Sequence, residues 1–222
     1  MLERMDDFFA ARIDQYDEHM LHDIEGAMEF YPATAAQLPL SDDTALLDLG
    51  CGTGLELESY FARRDRERPM ARPHVTGIDL CAPMLEKLRE KLPGEALSLI
   101  HGSYFDEPLG ECCYDAALSV DSFHHFTAQQ KVVLYQKIHR ALRQNGYLIL
   151  TDYFAENEQQ ERAFRQQLAE LTAQESGDGE VPYHYDTPLT VEHEMEALCA
   201  GGFSKVEILA RWGQTVLMRA QK

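Results

Sequence analysis

The chain has 222 residues, 45% apolar and 26% charged, enough to bury the core of one α/β unit with an elaboration and too apolar for a disordered chain. With 20 basic and 38 acidic side chains its formal charge is −18, which repels a nucleic-acid backbone, so no nucleic-acid partner is expected. The five scattered cysteines, Cys51, Cys81, Cys112, Cys113 and Cys199, show no C-x-x-C spacing and indicate neither a disulfide frame nor a zinc site.

Residues 1–44 carry Met5, Phe9, Ile13, Tyr16 and Met20 at helical spacing, so at least one amphipathic helix precedes the first strand and covers something. The segment lacks the charged, apolar and small-residue pattern of a secretion signal, and no window is long and apolar enough to span a bilayer. A cytoplasmic protein without a membrane partner is the expectation. His19 and His22 sit three apart, but the acidic residues around them form no established ligand pattern, and no metal is expected.

From Ala45, ALLDLG is a short buried strand stopped by glycine and feeding a helix near Gly54. Arg63, Arg64, Arg66, Arg68 and Arg72 cluster after it, interleaved with Asp65 and Glu67, as on a solvated helix end. HVTGID (74–79) gives a second strand, and Pro83, Met84, Leu85, Leu88 and Leu92 the helix that follows. Leu97 to His101 and Tyr114 to Ser119 are the third and fourth strands; Thr127 and Gln130 form a capping box for a helix expected to run through Leu142, with Gly146 as its stop. YLILTD (147–152) is the fifth strand, nearly all apolar as a central parallel strand should be.

Residues 153–189 form an insertion: a Gln/Glu-rich helix over 156–175, then SGDGEVP as a mobile loop. Thr190 caps a further helix closed by Gly201 and Gly202, and KVEILA and TVLMRA make a terminal antiparallel pair around Trp212 and Gly213. One doubly wound α/β domain follows, with residues 1–44 a helical lid, 45–152 a cofactor-binding core, 153–189 variable, and 190–222 the closing helix and strand pair.

Asp48-Leu49-Gly50-Cys51-Gly52-Thr53-Gly54 places three glycines at a strand-to-helix turn, where backbone can approach a ligand and aim amides at it. A tight turn alone would also recruit glycine. Asp79, 25 residues past Gly54 at the end of the second strand, supplies the second feature, a carboxylate able to accept from both hydroxyls of an adenosine ribose. At the end of the fourth strand, Ser119 and Val120 border the crevice where open α/β sheets bind ligands. Asp121, His124 and His125 come next; a neutral imidazole there could accept a proton from an acceptor, and His124 is the preferred candidate. The same pattern also suits histidines that only pack and satisfy hydrogen bonds.

LLDLGCGTG, TGIDLCAPML, GSYFDEPL, YDAALSVDSFHHF and LRQNGYLILTDY together resemble the successive motifs of class I S-adenosylmethionine-dependent methyltransferases, over about half the chain. The resemblance implies a Rossmann-like sheet of seven strands, mostly parallel with an antiparallel strand near the C-terminus, S-adenosylmethionine as cofactor, and substrate choice by the variable segments. It implies that Asp48 orders the glycine loop, that Gly50 and Gly52 contact the methionine moiety with Cys51 in the same cofactor-binding loop, that Asp79 holds the ribose, and that Leu80 and Met84 flank the adenine. Ser103 stands where the family often has Asp, and Tyr104 could still contribute its backbone amide; Ser119 would lie near the methyl. Tyr16 resembles a tyrosine that folds over the cofactor in small-molecule methyltransferases, with Arg12 one turn earlier placed to pair with the cofactor carboxylate; both also fit an ordinary helix face. Tyr183, His184 and Tyr185 could form an acceptor wall or anchor their loop.

The expected function is methyl transfer to an unidentified small molecule. The rivals are a noncatalytic S-adenosylmethionine-binding regulatory module and a nicotinamide-dependent oxidoreductase; the second is disfavoured because Glu56 and Leu57 stand where its third fingerprint glycine would be.

Overall fold

The computed structural model describes residues 3–174 and 183–222. Seven strands form one sheet in the order β3-β2-β1-β4-β5-β7-β6: β1 (Ala45–Leu49), β2 (His74–Asp79), β3 (Leu97–His101), β4 (Tyr114–Val120), β5 (Leu142–Tyr153), β6 (Lys205–Trp212) and β7 (Thr215–Gln221). β1 to β5 pair in parallel, and β7 runs antiparallel to both β5 and β6. This is the mostly parallel, Rossmann-like α/β sheet expected from the sequence.

The helices are α1 (Met5–His22), α2 (Ala27–Ala36), α3 (Leu55–Glu67), α4 (Ala82–Lys91), α5 (Ala128–Ala141), α6 (Glu158–Gln174) and α7 (Val191–Ala200). Strand residues alternate between the faces of the sheet, and this splits the core in two. Leu148 and Leu150 of β5 pack with Leu134 and Ile138 of α5 and Leu198 of α7, while Ile149 between them packs with Leu57 and Phe61 of α3 on the other face. Between α5 and α7 the buried Glu194 accepts from Lys131 and from the Tyr135 hydroxyl, so a carboxylate and an ammonium enter the core as a hydrogen-bonded pair rather than as separate charges.

The capping box at Thr127 and Gln130 forms, but α5 stops at Ala141, before Gly146. Leu142 is extended, fully buried and paired with Tyr114, so burial against β4 overrides the helical continuation, and residues 142–146 already form the start of β5, which shifts register opposite Tyr114 and Ala116. The loop expected at 176–182 lies outside the described residues. No helix among the described residues is long and apolar enough to cross a membrane. The arginines in the last turns of α3 are engaged locally: Arg63 donates to the carbonyls of Ala35 and Leu38, and Arg64 forms a bidentate pair with Glu95 at 2.7 Å.

Strand order reverses between β1 and β4, with β2 on one side and β5 on the other. Ligands of open α/β sheets sit beyond the carboxyl ends of the strands at such a switch point, and here those ends deliver the glycine loop, Asp79, Asp121 and Asp152 to one rim.

Candidate active site

On the β1–β2 side the glycine loop turns through left-handed backbone, with φ of +77° at Gly50 and +47° at Gly52. A Cβ on Gly50 would fall 2.2 Å from the Ser122 hydroxyl, whereas one on Gly52 would meet only the Tyr16 hydroxyl, at 3.8 Å. Gly50 is therefore required by packing, and Gly52 leaves its backbone open to a ligand. Asp79 ties the loop to β2: its Oδ2 accepts from the Gly52 amide and its Oδ1 from the Cys81 amide, both at 2.8 Å. Burial raises its carboxyl above the ordinary range, against the pull of those two amides. Each oxygen keeps a second lone pair, which is what two ribose hydroxyls need.

Gly50, Gly52, Asp79, Leu80, Met84, Tyr104 and Tyr16 all line one cleft of about 50 Å³. The other expected contacts lie elsewhere. Asp48 is fully buried with no hydrogen-bond donor on either oxygen, so no loop amide is held by it; burial and then the neighbouring Glu56 push its carboxyl well up, and burial lifts Glu56 to about 7 despite Asp48. Burial of this pair favours the protonated, neutral form of each carboxyl. Ser119 donates its hydroxyl to the Leu49 carbonyl at 2.8 Å inside the sheet, and Cys51 is buried and turned toward Gly77; strand and turn geometry faces both away from the cleft. The Ser103 hydroxyl accepts from the Phe105 amide within its own turn. Arg12 lies outside the cleft, over the Phe8 ring, donating to the Phe8 carbonyl.

On the β4–β5 side the centre is Asp152, the last buried residue of an apolar strand. Its Oδ2 accepts from the amides of Phe123 and His124 at 2.8 and 3.0 Å, and its Oδ1 from His124 Nδ1 at 2.6 Å and the Tyr153 amide at 2.9 Å. Four donors fix the carboxylate, the short 3₁₀ turn Phe123–His125 and the His124 ring together, leaving Nε2 as the free nitrogen of that imidazole. Burial works against charge on His124, yet Asp152 outweighs it and the net shift is upward; conversely His124 holds Asp152 below the usual carboxylate range in spite of burial. Burial and then His124 depress His125 to about 4. Burial and then Asp152 lift Asp121 to about 7.

His124 and His125 face a second, larger cavity of about 900 Å³, walled by α1, Tyr153, His184, Asp186 and Trp212. Phe9, Tyr16, Asp121 and His125 line both this cavity and the cleft, so the two spaces share a partition. Their cover is the N-terminal segment. Phe8 stacks on His184 with ring centres 3.5 Å apart, the His184 amide donates to the Glu3 carbonyl, and Asp17 accepts from Thr53 and from Lys91.

The sequence alone did not single out Asp152, Asp186, Tyr153 or Trp212. A polar residue closing an apolar strand beside the one that precedes His124 is the signal that could have found Asp152. Asp186 comes from the segment between α6 and α7 and carries no local signal.

Residues 47–150 match the family model described as "Methyltransferase domain". The chain is 24% identical over 187 residues to the phosphoethanolamine N-methyltransferase of Plasmodium falciparum, covering 82% of this chain and 61% of that protein. It is 39% identical over 75 residues to the trans-aconitate 2-methyltransferase of Rhodopseudomonas palustris, covering 34% of this chain and 27% of that protein. Thus the chain spans less than two thirds of the length of either relative. In fold it is similar to a structure in the complex between the Haloferax volcanii Trm112 methyltransferase activator and a methyltransferase, with a TM-score of 0.66 at 19% identity over 100% of this chain and 99% of that one.

Proposed function

Because the chain belongs to the class I S-adenosylmethionine-dependent methyltransferase family, we propose that it is an enzyme that transfers the methyl group of S-adenosylmethionine to a small molecule. One observation carries this reading: the cleft at the glycine loop and Asp79 shares the partition of Phe9, Tyr16, Asp121 and His125 with a 900 Å³ cavity facing His124. A donor on one side and an acceptor on the other would meet at that partition, and positioning of this kind supplies much of the barrier reduction in a bimolecular transfer. When bound, the cofactor supplies a methyl already activated by its sulfonium.

The residues present fit this cofactor. Open backbone at Gly52, spare lone pairs on Asp79, and apolar Leu80 and Met84 suit a methionine tail, a ribose and an adenine in turn. The cleft's 50 Å³ is far below the roughly 300–1,000 Å³ of ligand pockets, so α1, whose Met5, Phe9 and Tyr16 fill it, swings out to admit the cofactor and closes over it. His124, aimed by Asp152, takes the proton of a protic acceptor on Nε2. Arg12, which lines the larger cavity, sits on the moving helix and meets the cofactor carboxylate only after closure.

A small acceptor is supported by the cavity volume, by the acidic chain, which disfavours polyanions, and by the two relatives, whose names specify small-molecule acceptors. An activator subunit is not part of this reading, since 19% identity carries the fold alone. The test is incubation with S-adenosylmethionine and small-molecule pools, scored by mass spectrometry for the roughly 14-dalton gain when CH3 replaces H. A methylated product that disappears with Asp79→Ala supports the reading. Tight cofactor binding without product from any acceptor class would instead favour the regulatory module.

A further inference from the structure

His124, His125 and Asp186 bring one ligand atom each to within 4.8 Å of one another. Asp186 Oδ1 lies 3.0 Å from His125 Nδ1 and 3.7 Å from His124 Nε2. Ligand atoms around a tetrahedral ion with bonds of about 2.0–2.1 Å stand roughly 3.3 Å apart, so both separations are close to those of a ligand set.

Two unpartnered atoms point to an ion at this place. The His125 side chain is 3% exposed, and its Nδ1 and the facing Asp186 Oδ1, 3.0 Å apart, are both buried without a hydrogen-bond partner. Buried polar atoms are paired in the great majority of cases; a cation between these two would satisfy both. His124 adds the arrangement typical of metal-bound imidazoles: Nδ1 donates to a carboxylate, Asp152 Oδ1, at 2.6 Å, which fixes the ring and directs the Nε2 lone pair outward.

We propose that His124 Nε2, His125 Nδ1 and Asp186 Oδ1 form a three-ligand site for a divalent transition-metal ion. Two imidazoles and one carboxylate suit zinc and its neighbours rather than magnesium or calcium. Three protein ligands leave a fourth position open, and all three residues line the 900 Å³ cavity. Resting on the methyl-transfer reading above, this narrows the acceptor to one with a metal-binding hydroxyl, thiol or amine. The acceptor would lose its proton to water on coordination; in the transfer its heteroatom forms the new bond to carbon while the carbon–sulfur bond breaks with its electron pair going to sulfur. A lone pair given to a metal cannot take a proton, so the base role proposed above for His124 belongs to the metal-free enzyme, and in the loaded enzyme the residue is a ligand.

The experiment reads metal, not turnover, and needs neither cofactor nor acceptor. Chelator-treated wild type is titrated with Zn²⁺ by calorimetry and with Co²⁺ by visible absorption. The expected result is one equivalent per chain, with affinity falling by roughly 100-fold in His125→Gln and Asp186→Asn and by about 10- to 100-fold in Asp152→Asn. Replacing the exposed His19 and His22 by alanine should leave it unchanged. Histidine ¹⁵N spectra of the wild type guard against misfolded variants: Zn²⁺ must shift His124 Nε2 and His125 Nδ1. Absence of stoichiometric binding by folded wild type, binding undiminished in both ligand variants, or unmoved His124 and His125 signals would overturn the site and leave methyl transfer untouched.

Discussion

The two halves of the rim are built differently. The glycine-loop half comes from one contiguous β1–α3–β2 stretch and is held by backbone, through amides donated to Asp79. The β4–β5 half draws on Asp121, His124 and His125 after β4, Asp152 at the end of β5, and Asp186 from the segment before α7, and is held by side chains. A common cofactor can be recognised by a short, local, backbone-based device. An acceptor particular to one enzyme needs side chains gathered from several elements, one of them in the segment before α7.

Breaking the first half should cost the most. Gly52→Val places a β-branched residue at φ +47° and covers the backbone the ligand approaches, so cofactor affinity should fall by about 100-fold or more while the fold survives a strain of roughly 1–2 kcal/mol. Calorimetry on protein shown to be folded by circular dichroism checks it. His124→Ala should break the second half alone: single-turnover methyl transfer falls by roughly 100-fold while cofactor affinity barely moves. A rate within about threefold of wild type would remove His124 from the chemistry.

The partition between the halves gives a smaller, kinetic effect. Asp17 latches α1 to Thr53 and Lys91, so Asp17→Ala should speed both cofactor association and release by several-fold with little change in equilibrium affinity, as stopped-flow fluorescence would show. The smallest effect concerns stability. Glu56 holds its proton to about pH 7 when folded but only to about 4.3 when unfolded. The folded state thus binds the proton more tightly, and its stability falls as pH rises between those values and is level above them. The melting temperature of wild type should drop by several degrees between about pH 5 and about pH 8, and Glu56→Gln should lessen that slope, leaving the share that Asp48 and Asp121 contribute.

The same contrast governs what the sequence could reveal. That Gly50, Gly52 and Asp79 line one cleft is legible because glycine spacing and a carboxylate at a strand end are local signals, and the sheet follows from apolar runs broken by turns. Ser119 was misplaced because a strand alternates faces: its hydroxyl points into the sheet at the Leu49 carbonyl. Asp48 holds no loop amide, and its buried neighbour is another acid, Glu56, in the first turn of α3, a pairing that no local signal encodes. The helix-to-strand switch at Leu142 depends on pairing with Tyr114, a tertiary contact that no local periodicity encodes. His124 was singled out without its partners, since Asp152 and Asp186 meet it only through the folding of β5 and the later segment.

The central claim is that one half of the rim holds S-adenosylmethionine and the other does not. Its most direct test is a calorimetric titration of S-adenosylmethionine into wild type, Asp79→Ala and His124→Ala. The expected result is one site per chain in wild type, affinity weakened by about 10- to 100-fold in Asp79→Ala, in line with the loss of charge-assisted hydrogen bonds, and a near-wild-type value in His124→Ala. Equal binding by wild type and folded Asp79→Ala, or no binding by wild type at all, would contradict it.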